Sequence, residues 1–255
     1  MKKILILLVI LTTIAASVYA QKNKSAEDLI SAMHKKYDGK WYKTLTFVQK
    51  NTQTKPDGTT ENSIWYEAML APGNLRIDFD PLEKGDGILF TNGMQHTFKD
   101  GKLVNSHPLN HQLLILGFDV YMQPVEKTLA QLKELKYDLS DFREDVWQGK
   151  PVYVVGANAG DTKSPQFWID KKNLVFLRSV QAVGKDKDKI QETQFNKYQK
   201  AKNGGWVAAE VLFLLDGKPV YKEEYSDIKT NVNLDKNLFD PQSWMTADRK
   251  YFQNK

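Results

Sequence analysis

Histidines at positions 96, 107 and 111 are the first residues whose type and spacing could do chemistry. His107 and His111 stand four apart, so on one helix both imidazoles would share a face and could ligate zinc. The stretch HPLNHQLLILGFDVYMQPVEK argues against that use. Pro108 suits the first turn of a helix, which makes His107 a cap-like residue with non-helical angles and separates the pair. No acidic side chain is near in sequence as a third ligand, because Asp119 lies beyond the oily run. The two histidines therefore read as residues that open a helix, and neither a metal nor another cofactor is expected. Nucleophilic catalysis has no better footing: the chain lacks cysteine and a Gly-x-Ser-x-Gly elbow. Its Asn-Gly and Gly-Gly pairs sit between strand patterns, not ahead of helices, so no phosphate loop is expected. The paired carboxylates of KEEYSD, Lys222 to Asp227, fall among lysines on a strand pattern and read as a solvated face. No catalytic residue is nominated, and an enzyme is not expected.

What remains chemically is oil. Leu113, Leu114, Ile115, Leu116, Phe118, Val120 and Tyr121 form one apolar stretch broken by Gly117. Two readings stand: a buried core helix, or a lid over an apolar ligand.

The elements that must position this stretch read mostly as strand. Before them, Lys2 and Lys3 precede an apolar run from Ile4 to Leu11, and Val18 and Ala20 mark a cleavage point after Ala20. That is the layout of a secretory signal peptide, and the run falls short of the roughly 20 residues that span a bilayer. The expected organisation is a signal peptide at 1–20 and one domain at 21–255, exported to the periplasm. With no cysteine, neither lipidation of the mature N-terminus nor a disulfide is possible. The formal charge is +5, with acidic and basic residues interspersed as in GKDKDKIQE, so no nucleic-acid face is expected.

Lys24 to Tyr37 carries a helical stripe of Leu29, Ile30 and Met33, with Ser25 and Asp28 as a capping pair. From WYKTLTFVQKN the period changes to two. Turn residues then punctuate the chain: KPDG, APGN, the Asn-Gly of ILFTNGMQHTF, KDGK, QGK, KNGG and DGKP. A second helical stripe, Val125, Leu129, Leu132 and Leu135, follows Pro124. About ten or eleven strands at this spacing form an antiparallel meander that curls into a barrel or half-barrel. Some strands (VAAEVLFLL, SIWYEAML) are oily, whereas QETQFNKYQ and VYKEEYSDIKTN read as polar on both faces. An oily sheet face of that size needs a cover, and the helical segments supply it.

In this order the pieces resemble the LolA-like superfamily of periplasmic lipoprotein carriers. WYEAMLAPGNLRIDF resembles its strand–Pro–strand run, and ILFTNGMQHTFKDGK its following hairpin. FWIDKKNLVFLRSV resembles its "WID" hairpin, and NVNLDKNLFDPQ its closing segment. The resemblance implies a mainly β fold with α: an incomplete antiparallel barrel under a helical lid, around an apolar cavity. It further implies a monomeric periplasmic carrier of the acyl chains of lipoproteins, or of a related lipid, toward the outer membrane. The implied partners are an inner-membrane ABC-type release complex and an outer-membrane receptor. A lipid- or peptide-sensing regulator with the same fold is the alternative. The superfamily's lid-closing arginine has Ala71 in its place before Pro72, and Arg76 lies further on. The expected cavity wall is Trp65, Leu75, Ile77, Phe79, Leu89, Phe98, Trp168, Val175 and Leu177. The expected lid is Leu113, Leu114, Leu116, Phe118, Leu129 and Leu132, with Gly117 as a bend.

Overall fold

The computed structural model describes residues 23–202 and 204–252, so the expected signal peptide lies outside the described residues. The period-two segments pair with their sequence neighbours throughout. They are β1 (Thr44–Thr54), β2 (Thr60–Leu70), β3 (Asn74–Phe79), β4 (Gly87–Thr91), β5 (Met94–Lys99) and β6 (Lys102–Pro108), then β7 (Phe142–Trp147), β8 (Lys150–Val155) and β9 (Gln166–Asp170). The rest are β10 (Phe176–Val183), β11 (Lys189–Lys200), β12 (Trp206–Leu215) and β13 (Lys218–Thr230). Tight reversals keep the pairing local. At Asn92-Gly93 and Asp216-Gly217 both central residues have positive φ, the two-residue turn whose twist matches that of the strands it joins.

All strands are antiparallel in one sheet, ordered β6-β5-β4-β3-β2-β1-β13-β12-β11-β10-β9-β8-β7. β13 pairs with β1 and so joins the first and second meanders. β6 and β7 remain as free edges, so the sheet stays an open half-barrel. Thirteen strands form among the described residues, against the expected ten or eleven.

Three helices cover one face, hereafter the inner face: α1 (Ala26–Tyr37), α2 (Gln112–Gly117) and α3 (Val125–Glu134). The Ser25 side chain caps α1 by accepting from the Asp28 N–H, and Asp28 accepts in return from the Lys24 N–H. Leu29, Ile30 and Met33 are fully buried, as their spacing predicts. His107 and Pro108 do not open a helix. They end β6, and α2 begins after His111, whose side chain accepts from the Leu114 N–H at 3.4 Å. Pro108 lies on the sheet's free edge, where a proline leaves no ladder donor missing.

The opposite face has its own cover. Leu238, Phe239, Trp244 and Ala247 pack on Ala68, Leu89 and Phe98. Arg76 pins this C-terminal segment: its guanidinium pairs with Asp78 at 2.7 Å, donates to the Trp244 carbonyl at 2.7 Å, and lies 3.8 Å from the Trp244 ring centroid. Arg76 is fully buried on this outer face, away from the helices.

Candidate functional site

Between the sheet and α2 lies a cavity of about 280 Å³. Strand alternation decides what lines it. Trp65, Glu67 and Met69 of β2 face inward, as do Leu75 and Ile77 of β3. Leu75 pairs with Phe90 and Ile77 with Ile88, so these two β4 residues complete that wall. Phe47 and Gln49 of β1, Phe213 of β12, Phe195 of β11, and Glu223 and Tyr225 of β13 form the rest of the floor. Leu113, Leu114 and Phe118 close the cavity from above.

Of the expected wall, Trp65, Leu75 and Ile77 line the cavity, and Phe79 packs on Trp65 at 4.7 Å between ring centroids. Leu89 and Phe98 do not join them. Leu89 pairs with Arg76, and Phe98 stacks on Trp244 at 4.1 Å, so both serve the outer core. Trp168 also lies off the cavity: it pairs with Arg178, whose guanidinium sits 4.4 Å over its ring. Val175 and Leu177 are buried in the main core without lining the cavity. The inward side of β10 beside them is Phe176, edge-on to Phe195 at 4.9 Å. Of the expected lid, Leu113, Leu114 and Phe118 meet the cavity, whereas Leu116 and Leu132 are fully buried core and Leu129 is packed against it.

α2 ends at Gly117, where an added Cβ would come within 2.8 Å of the Phe195 ring. The absent side chain lets the lid lie directly on the sheet. Tyr121, just beyond, stacks on Trp41 at 3.7 Å and accepts from the Phe176 N–H at 3.3 Å. Asp119 supplies a latch that the sequence reading missed. Its carboxylate accepts from the Gly73 N–H at 2.9 Å, tying the lid to the break between β2 and β3. Burial pushes the Asp119 carboxyl up to about 6, against the pull of that hydrogen bond and of Lys127. Arg76 plays no part in this latch, because it faces the other side of the sheet.

The cavity is not purely oily. Glu67 is 4% exposed, and burial, with the charge of Glu223, holds its carboxyl well above the usual carboxylate range. Glu223 opens onto the cavity, and burial pushes it up to about 7, opposed by hydrogen bonds from Tyr225 and Gln49. The Tyr225 hydroxyl donates to Glu223 at 2.6 Å. So KEEYSD is not a solvated face throughout: Glu223 and Tyr225 turn inward, while Glu224 pairs with Lys222 on the other side. Likewise β11 turns Phe195 inward, although the segment reads as polar on both faces. His111, at the rim, lies edge-on to Phe90 at 4.8 Å, and burial pulls its imidazole down to about 4, leaving it a neutral acceptor for its cap bond. His96 instead meets Ser106 at 2.6 Å and His107 meets Asn105 at 3.4 Å, so the three imidazoles have separate partners. Among the described residues no cluster of three histidine or acidic side chains could hold a metal ion. No helix among them is long and apolar enough to cross a membrane.

No family model and no curated protein matches the chain. Solved structures do match its fold. A putative outer membrane lipoprotein-sorting protein domain from Vibrio parahaemolyticus superposes with a TM-score of 0.57 at 14% identity, covering 87% of this chain and 98% of that one. A DUF1329 family protein from Desulfovibrio piger gives 0.57 at 13% identity, covering 86% and 97%. A LolA superfamily protein from Nitrosomonas europaea gives 0.51 at 13% identity, covering 82% and 96%. The chain therefore has a LolA-like fold. At these identities the likeness is one of fold alone.

Proposed function

We propose that the protein is a periplasmic carrier that holds an acyl chain of a lipoprotein, or of a related lipid, beneath α2 and delivers it toward the outer membrane. One observation carries this reading: the cavity under Leu113, Leu114 and Phe118, whose remaining walls are mostly aromatic and aliphatic. Each methylene withdrawn from water contributes about 0.8 kcal/mol, so one chain supplies ample affinity. At about 280 Å³ the cavity sits at the small end of ligand pockets. A full acyl chain therefore has to displace the lid, which makes α2 the moving part. The fold shared with a lipoprotein-sorting domain supports this assignment, as does the secretory N-terminus without a cysteine. Cargo release then requires a lid-open state within a few kcal/mol of the closed one. An inner-membrane ABC-type complex and an outer-membrane receptor are the partners such a cycle needs.

The test is mass spectrometry of the protein isolated from the envelope of its own host. Co-purified acylated peptide or lipid in a one-to-one complex is the expected result. A protein that arrives empty, and that takes up no neutral apolar dye, contradicts the assignment.

A further inference from the structure

An apolar chain needs no carboxylates, yet two face this cavity. Glu67 comes from β2 and Glu223 from β13, with β1 between them. Neither has a basic partner there: no lysine or arginine is among the residues that line the cavity. Burial and the neighbouring charge of Glu223 are what act on Glu67, and no hydrogen bond to its carboxylate accompanies them. Buried polar groups are normally satisfied, and buried charges are normally paired. The floor of the cavity thus places two carboxyls without a cationic partner at the end of an oily space, which is the complement of an amphiphile with a cationic end.

We propose that the cavity selects amphiphiles ending in a protonated amine, with Glu67 and Glu223 as counter-charge and Leu113, Leu114 and Phe118 holding the hydrocarbon. This rests on the lipid-binding reading above and adds the class of headgroup. An ammonium offers up to three N–H donors, and charge-assisted bonds to a carboxylate are stronger than neutral ones in such surroundings. The other groups facing the pair are Gln49 from β1, Gln95 from β5, Tyr221 and Tyr225 from β13, and His111, which caps α2. Burial keeps His111 neutral and both tyrosines protonated, so none adds a competing charge near neutral pH.

The experiment compares dodecylamine, dodecanol and dodecanoate, each below its aggregation concentration, by displacement of a neutral apolar dye from the full-length mature protein. At pH 8 the amine should bind about tenfold or more tighter than the alcohol, and dodecanoate most weakly. At pH 5, where the carboxylates gain protons, the amine's advantage should shrink. The paired substitution Glu67→Gln and Glu223→Gln should abolish it, bringing amine and alcohol to equal affinity. Equal affinity for amine and alcohol in the native protein, or tightest binding of dodecanoate, overturns the amine selectivity while leaving the lipid-binding reading in place. Binding of none of the three overturns both.

Discussion

Glu223→Gln tests whether burial makes the charge on the acidic floor costly to the fold. Folding raises this carboxyl from its ordinary 4.5 to about 7. The native state therefore holds the proton more tightly than the unfolded chain does, and stability is lost as pH rises from about 4.5 through about 7. At about 1.4 kcal/mol per unit, the full shift corresponds to roughly 3 kcal/mol. Glu223 is only half-buried and opens onto the cavity, so water there screens part of it, and we expect about 2 kcal/mol. Glutamine keeps an acceptor for the Tyr225 hydroxyl and removes the charge. The assay is urea denaturation of native protein and variant at pH 4.5, 6 and 8. Only the difference between the two is informative, because Asp161 and other carboxylates held below their usual range change stability in the opposite sense. The variant should match the native protein at pH 4.5 and exceed it by about 2 kcal/mol at pH 8. A pH-independent difference, or a variant less stable at pH 8, would refute the reasoning.

Three further outcomes follow from the lid and the outer face. Gly117→Ala places a Cβ 2.8 Å from Phe195, and the overpacking should cost about 1–3 kcal/mol in denaturant unfolding. Asp119→Ala removes the acceptor of the Gly73 N–H, and exchange of that amide should quicken about tenfold or more, whereas Asp119→Asn should keep it slow. Arg76→Leu leaves Asp78 buried with only Arg249 at 3.4 Å, so stability should fall by about 3–5 kcal/mol and the segment from Leu238 onward should become open to proteolysis.

The half-barrel and its helices were legible because local signals agree along the chain. Ser25 caps where the stripe begins, and Asn-Gly and Asp-Gly pairs mark reversals that only a positive φ allows. Facing was harder. Leu89, Phe98 and Trp168 are as oily as Leu75 and Ile77, but both faces of this sheet are covered, so hydrophobicity alone does not say which side a strand residue takes. Only the register that pairs Leu89 with Arg76 and Ile88 with Ile77 settles it, and register comes from tertiary pairing. The acidic floor had a usable trace: Trp65, Glu67 and Met69 alternate on one face, as do Glu223 and Tyr225. Lys222 and Glu224, which alternate with them on the other face, make KEEYSD look solvated when both faces are averaged. Pro108 misled for a different reason: a proline fits a strand on the sheet's free edge as well as a first helical turn. The Asp119 latch spans 46 residues in sequence and left no local mark.

The central claim is that the space under α2 receives an apolar chain. Titration of a neutral naphthylamine dye, followed by energy transfer from the tryptophans, of which Trp65 lines the cavity, tests it most directly. One saturable site, displaced by an acylated lipopeptide and lost when Leu75→Trp and Leu114→Trp together fill the space in a protein that still folds, is the expected result. Linear, unsaturable dye uptake, or saturable binding untouched by filling the cavity, would contradict it.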